Sequence, residues 1–187
     1  MSMITRSENI YTYIKERVVA QPLFGVFSFA ILMALAAQLT IPMKPVPTTL
    51  QSMIVVLSGA MLGSKKGFYA QIAYLTMGVV GLPVFAMSPD LAPGFARLFG
   101  PTGGYLLAFP VAAYLTGLII ERKSDYLTTV ITFFAAHAVI LLSGALYLDL
   151  FINAGFVKTL ELGVVVFSLS TVVKVFAASL IFKSFKK

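Results

Sequence analysis

Cysteine and tryptophan are absent from the 187 residues, and histidine occurs once, at His137. Without Cys there is no disulfide, zinc–thiolate or iron–sulfur chemistry. With a single His, neither a His-based metal centre nor a catalytic triad is expected. Charge is scarce too: Asp, Glu, Lys and Arg supply 11% of the chain, where an ordinary soluble domain carries roughly 25%. Apolar residues take their place, at 59% with sixteen Phe and eight Tyr, and the mean hydropathy is +0.94. That excludes a disordered chain and a soluble monomer. The formal net charge is +7, but the basic residues are dispersed between apolar runs, so no nucleic-acid partner is expected. The solvent of this chain is the lipid bilayer, and its function lies in its few polar residues.

The charged residues divide the chain into spans. Uncharged runs lie between Arg17 and Lys44 (26 residues), Lys44 and Lys65 (20), Lys66 and Asp90 (23), Arg97 and Glu121 (23), and Asp125 and Asp149 (23). A sixth, of 21 residues between Glu161 and Lys183, is interrupted only by Lys174. Crossing a hydrocarbon core of about 30 Å takes roughly 17–25 helical residues. An all-α membrane protein with six transmembrane helices is therefore expected, with approximate cores at 22–40, 50–64, 67–82, 103–120, 127–148 and 163–182. The domain reading is one integral membrane unit over 1–187, with an interfacial segment at 1–21 and the six-helix bundle at 22–183.

Six spans place both termini on one side. Ten basic residues fall on that side: Arg6, Lys15, Arg17, Lys65, Lys66, Arg122, Lys123, Lys183, Lys186 and Lys187. Only Lys44, Arg97 and Lys158 fall on the other. The positive-inside rule then predicts cytoplasmic termini in a multi-pass protein of the cell membrane. Near the start, Ile10, Tyr11, Ile14 and Val18 recur at helical spacing beside Lys15, Glu16 and Arg17, which suits a helix on the inner interface. Ala34-Leu35-Ala36 resembles a signal-peptidase site, but cleavage there would leave five spans and spoil the charge asymmetry, so the first span is expected to stay.

Proline and glycine crowd two outer loops. Pro42, Pro45 and Pro47 fill the first, and Pro83, Pro89, Pro93 and Pro101 with Gly81, Gly94, Gly100, Gly103 and Gly104 fill the third. The third is apolar along Leu82-Pro83-Val84-Phe85-Ala86-Met87, which makes it a poor solvated linker and a candidate lid or re-entrant cover; resting on lipid headgroups is the alternative. No internal repeat is evident, which weakens an inverted-repeat carrier.

Lys174 is the strongest single signal. An ammonium within a spanning helix costs roughly 2.5–3.5 kcal/mol on insertion scales. Lys174 stands about 20 Å beyond Glu161 and about 13 Å before Lys183 along a helix rising 1.5 Å per residue. Helical side chains lean toward the helix N-terminus, here the outer side, so the ammonium is biased into the bundle rather than toward the inner interface. Ser170 and Thr171 share its face, and this span offers no acidic partner. An anionic or strongly accepting ligand is the expected counterpart.

Arg97, set among Phe95, Ala96, Leu98 and Phe99, is matched to a ligand carboxylate or to a lipid phosphate. Thr48, Thr49 and Gln51 follow the first proline cluster and suit either ligand hydrogen bonds or helix capping. Tyr74 and Tyr105 are candidates for a pocket wall or for packing. His137 is expected to hydrogen-bond a neighbouring helix, and Asp149 and Asn153 to end the fifth helix. Ala30 and Ala34 form an A-x-x-x-A stripe suited to close helix approach, within the chain or with a partner. No catalytic set emerges: there is no phosphate-binding G-x-x-x-x-G-K-[ST] loop, no acidic pair within a span and no chain of protonatable residues for proton coupling. The residues describe a membrane-embedded binding protein with no cofactor of its own, not an enzyme.

Val46-Pro47-Thr48-Thr49-Leu50-Gln51, Gly81-Leu82-Pro83-Val84-Phe85-Ala86 and Gly100-Pro101-Thr102-Gly103-Gly104-Tyr105-Leu106 resemble, in order and spacing, the V-P-x-T-L-Q, G-L-P-V-F-A and G-P-T-G-G-Y-L segments of the BioY family. These are the biotin-binding S components of energy-coupling-factor (ECF) vitamin transporters, and the similarity runs over roughly residues 25–183. The resemblance implies six helices, an outward-facing biotin pocket, and partnership with a transmembrane T component and two cytoplasmic ABC ATPases that alone use ATP. It implies that Ala30 and Ala34 match the surface offered to the T component, that Arg97 stands for a family arginine, and that Lys174 stands for the lysine of a P-G-D-x-x-K stretch. The run here is Leu169-Ser170-Thr171-Val172-Val173-Lys174, so Thr171 takes the acidic position and offers a weaker acceptor without charge. The expectation is that biotin still binds, with Thr171 and nearby backbone groups covering its ureido edge. An S component for another small anionic vitamin or precursor is the nearer rival, and a membrane assembly subunit the more distant one.

Overall fold

The computed structural model describes residues 22–86, 94–152 and 155–186. The interfacial segment expected over 1–21, and Met87, Pro89, Asp90, Pro93 and Asn153 among the residues singled out in the sequence, lie outside the described residues. Helix α1 (Pro22–Gln38) starts at a proline, whose fixed φ suits a first helical turn. A two-stranded antiparallel hairpin follows, β1 (Thr40–Ile41) against β2 (Thr48–Thr49), with Thr40 opposite Thr49 and Ile41 opposite Thr48. Pro42, Pro45 and Pro47 between them have no N–H to extend the ladder, so the pairing stays short. Helices α2 (Gln51–Leu62) and α3 (Ser64–Val79) are separated by Gly63 alone, at φ +85°, a conformation that L side chains rarely adopt. A 3₁₀ turn, Gly94–Phe99, leads to α4 (Gly103–Ile120) and α5 (Tyr126–Ile152). The amphipathic α6 (Phe156–Gly163) and a second 3₁₀ turn, Val165–Phe167, precede α7 (Ser168–Phe185).

Six of these helices stand where the six apolar runs predict them, with two departures. Among the described residues, Gly103–Ile120, Tyr126–Ile152 and Phe156–Phe185 are long and apolar enough to cross a membrane. α2 has only 12 residues, about 18 Å of helix, because residues 45–50 of its run are taken by the hairpin. The last span, expected to be continuous from 163, begins instead at Ser168. The chain leaves the helix at Val164 (φ −128°, ψ −57°), just after Gly163, whose carbonyl accepts the Tyr105 hydroxyl at 2.9 Å.

Missing side chains set how closely the helices approach. A Cβ on Gly59 of α2 would fall 2.2 Å from the Ala113 carbonyl of α4, and one on Gly67 of α3 would fall 2.7 Å from the Gly59 Cα. A Cβ on Gly117 of α4 would meet the Ser64 nitrogen at 2.3 Å. With little hydrophobic drive between helices in lipid, such close backbone packing is a main source of cohesion. The interior it creates holds Met33, Val55, Val56, Phe133 and Val175, each with no exposed surface.

The polar groups sort to two ends. At one end the Glu121 carboxylate accepts the Ser64 N–H at 2.7 Å, as suits the N-terminus of α3. There too the Lys186 ammonium donates to the Ser124 carbonyl at 2.8 Å, and Lys183 lies 5.4 Å from the Tyr126 ring centre. The hairpin, the Leu82–Ala86 segment, the Gly94–Phe99 turn and the start of α7 gather at the other end, around a cavity.

Candidate functional site

The cavity encloses about 710 Å³ unfilled by atoms, counting the space at its mouth. Val46, Phe85, Leu106, Phe109, Ile140 and Phe167 supply its apolar wall. Small-ligand sites have this character, mostly apolar with a few directed polar groups. Lys174, Arg97, Thr171, Thr48, Thr49, Gln51 and Tyr105 all line it, although they lie on five separate elements.

Lys174 is 8% exposed and Arg97 6%. Among the described residues the Lys174 ammonium has no hydrogen-bond or ion-pair partner; it faces the cavity from α7 and does not turn toward the basic end. Thr171 lines the same wall one turn earlier, whereas the Ser170 hydroxyl is spent on the Phe167 carbonyl at 2.9 Å. On the Gly94–Phe99 turn the Arg97 guanidinium donates through Nη2 to the Ala86 carbonyl, while its Nη1 is buried without a partner. The described ends of the apolar third loop, 82–86 and 94–99, are thus tied together over the cavity by an arginine and serve as its cover.

Around it the family-like segments acquire structural reasons. Gly81 sits at φ +95° and turns the chain after α3. Phe85 then folds back over Gly78, where a Cβ would strike its ring at 2.0 Å. Gly103 and Gly104 let α4 begin directly beneath the cover, since Cβ atoms there would meet the Leu98 carbonyl at 1.9 Å and the Tyr147 Cβ at 2.3 Å.

The hairpin residues divide their work. Thr48 is buried with its hydroxyl 3.9 Å from the Met43 sulfur. Thr49 accepts the Gln51 N–H at 3.3 Å and donates to Gln51 Oε1 at 3.0 Å, steadying the start of α2. Tyr105 contributes its ring to the wall and its hydroxyl to Gly163. Tyr74 stands one layer back from the cavity: its hydroxyl accepts the Gln51 amide at 2.6 Å and donates to the Val84 carbonyl at 3.2 Å. It tethers the hairpin side of the cavity to the cover.

Three polar wall residues escaped the sequence reading as site residues: Ser52, Thr102 and His137. Thr102 has a buried hydroxyl without a partner. His137 was expected to bond a neighbouring helix, yet its Nδ1 is 2.8 Å from the Phe133 carbonyl of its own helix, and its Nε2 is buried without a partner. The position four residues after Phe133 brings the ring to that carbonyl. Being the only histidine of the chain, set within the 23-residue uncharged run of the fifth span, was the available signal. Buried polar atoms are nearly always paired, so three orphans converging on one cavity, with an unpaired ammonium beside them, describe a site built to be completed by a ligand. Asp149, by contrast, is engaged with the Thr159 hydroxyl at 2.6 Å, tying α6 to α5.

The small-residue stripe is used elsewhere. Ala30 has no exposed surface and Ala34 is half-buried against the core. Of the two uses open to the stripe, Ala30 takes packing within the chain: it lies inside the packing of α1 on its own bundle.

Over its whole described length the chain is similar to the crystal structure of the S-component for biotin from an ECF-type ABC transporter, with a TM-score of 0.81 at 22% identity, covering 100% of this chain and 94% of that one. It thus has the S-component fold, and three of its described helices are long and apolar enough to cross a membrane. It is 39% identical over 153 residues to the probable biotin transporter BioY of Pyrococcus horikoshii, covering 82% of this chain and 88% of the relative. It is 35% identical over 159 residues to the biotin transporter BioY of Thermotoga maritima, covering 85% and 92%. The model of the BioY family matches residues 9–187, and the chain belongs to that family.

Proposed function

We propose that this chain is the substrate-binding S subunit of an ECF-type importer in the cell membrane, and that it captures biotin in the cavity between the cover and α7. The observation that carries the reading is the pairing of two buried, donor-rich cations, Lys174 and Arg97, with an apolar wall. Biotin offers a carboxylate and a ureido oxygen to such donors, and an aliphatic chain and fused ring to the wall. Names of relatives with most of their length in common support the same vitamin. Thr48, Thr49, Gln51, Tyr105 and Thr171 shape the site, and Tyr74 positions Gln51.

On this reading 1–187 is one membrane unit, 22–183 a bundle of six spans and 1–21 an interfacial segment. The basic end faces the cytoplasm with both termini, following the Lys/Arg asymmetry, and the cavity faces outward. Two ABC ATPases, coupled to this chain through a T component, supply the energy, for which this chain has no nucleotide loop. The T component rests on the outer face of α1, where Leu23, Phe27, Ile31 and Leu35 stand exposed at four-residue spacing with Ala34 beside them. Co-purification with the T component should fall for Phe27→Ala with Ile31→Ala while ligand binding persists; undiminished co-purification places the contact elsewhere.

The function itself is tested by equilibrium binding of radiolabelled biotin to the detergent-purified protein, with other small anionic vitamins as competitors. Saturable binding displaced only by biotin is the expected result. Displacement by a different vitamin assigns the chain to that substrate, and no binding by a monodisperse preparation rejects the assignment.

A further inference from the structure

The unpartnered groups at the cavity wall are unbalanced in their hydrogen-bonding character. Arg97 Nη1 and the Lys174 ammonium only donate, and the Thr102 hydroxyl does either. His137 is different. Its Nδ1 lies 2.8 Å from the Phe133 carbonyl, and a carbonyl oxygen can only accept, so Nδ1 carries the proton. In the neutral imidazole the other nitrogen then has a bare lone pair. That atom, Nε2, is buried without a partner, on a residue 1% exposed that lines the cavity. Gln51 Oε1, another acceptor at the wall, already receives the Thr49 hydroxyl.

We infer that His137 is a specificity-determining residue whose Nε2 accepts a hydrogen bond from an N–H group of the bound ligand, so that the cavity selects molecules carrying both an accepting, anionic end and an N–H donor. This rests on the binding function proposed above and adds to it a requirement for the donor. For biotin, the N–H is one of the two on the ureido ring. The arrangement rejects a ligand without that hydrogen, because Nε2 would then stay buried and unpaired, and a site built for a hydrogen bond discriminates strongly against an analogue that lacks it. Five-residue sequence windows cannot reveal this, since it depends on which ring nitrogen the helix backbone claims.

The test measures biotin and a ureido N-methylated biotin on wild type, His137→Gln and His137→Leu, each first shown to be monodisperse with a cooperative thermal transition. Glutamine places an amide oxygen near the position of Nε2, so His137→Gln should bind biotin within a few-fold of wild type. His137→Leu should lose about ten- to a hundredfold in affinity, the cost of an unmade buried hydrogen bond. Wild type should prefer biotin over the methylated analogue by a similar factor, and His137→Leu should show no preference. Equal biotin affinity in wild type and His137→Leu, or an undiminished preference in that variant, overturns the inference alone. No biotin binding by wild type removes the vitamin reading, and this inference with it. Should His137→Leu fail to fold, an affinity for His137→Gln as low as for a non-ligand, with its thermal transition intact, also overturns it.

Discussion

Gln51 reaches across the bundle to Tyr74, its amide 2.6 Å from the phenolic oxygen, and Tyr74 passes the contact on to the Val84 carbonyl at 3.2 Å. The hairpin side of the cavity is thereby coupled to its cover through a tyrosine with no exposed surface. Tyr74→Phe keeps the ring, including its edge-on contact with Phe85 at 5.6 Å, but leaves both polar partners unsatisfied. Stability should fall by about 1–3 kcal/mol, and ligand affinity should fall although no wall residue is changed. Thermal unfolding and binding measured together check this; unchanged affinity would show that the relay does not hold the cover.

Arg97 serves two directions at once, Nη2 to Ala86 and Nη1 to the cavity. A lysine carries the charge but not the rigid fork, and cannot hold both. Arg97→Lys should therefore weaken binding by about tenfold or more, as expected for losing a charge-assisted contact. Retained affinity in Arg97→Lys would mean that only the charge matters.

Helix approach makes a prediction independent of the ligand. Gly59→Ala puts a Cβ against the backbone of α4, 2.2 Å from the Ala113 carbonyl, whereas Gly25→Ala meets at 2.7 Å only the flexible end of Leu62. The first should cost about 3 kcal/mol and the second well under 1 kcal/mol. Equal melting temperatures would show that α2 and α4 are less tightly apposed than described.

At the basic end, the Asp125 carboxylate receives the Thr128 hydroxyl at 2.7 Å and the Thr128 N–H at 3.1 Å, with Lys123 3.5 Å away. These hydrogen bonds, the hydroxyl first, hold its carboxyl down to about 2 from an ordinary 3.8. A depressed carboxyl stabilises the fold above its unfolded pKa and loses that contribution as pH falls from about 3.8 toward 2. Asp125→Ala should accordingly melt below wild type at neutral pH, with the gap closing over that interval. A gap that persists at pH 2 would locate the effect in packing instead.

The helices were legible because a charged residue interrupts the chain at nearly every bilayer length. Lys174 was legible because an ammonium in a 21-residue apolar run has no ordinary explanation. What stayed hidden depends on backbone geometry at contact distance. Periodicity gives no hint that the last span breaks just after Gly163, that Ala30 turns inward, or that Tyr74 supports Gln51 from behind. His137 was visible as a residue but not as a cavity group, since its role follows from the Phe133 carbonyl taking one nitrogen and leaving the other. Phe109 and Phe167 are indistinguishable in sequence from the other Phe residues of the apolar spans.

The central claim, that Lys174 is kept buried and unpaired for a ligand, is tested most directly by comparing wild type with Lys174→Met in both thermal unfolding without ligand and biotin binding. Replacing a buried, unpartnered charge with a side chain of similar length should leave the empty protein as stable or raise its stability by about 1–2 kcal/mol, while biotin binding is lost. A variant that is less stable without ligand yet binds biotin with wild-type affinity would contradict the account, since Lys174 would then be holding the helices together rather than waiting for the vitamin.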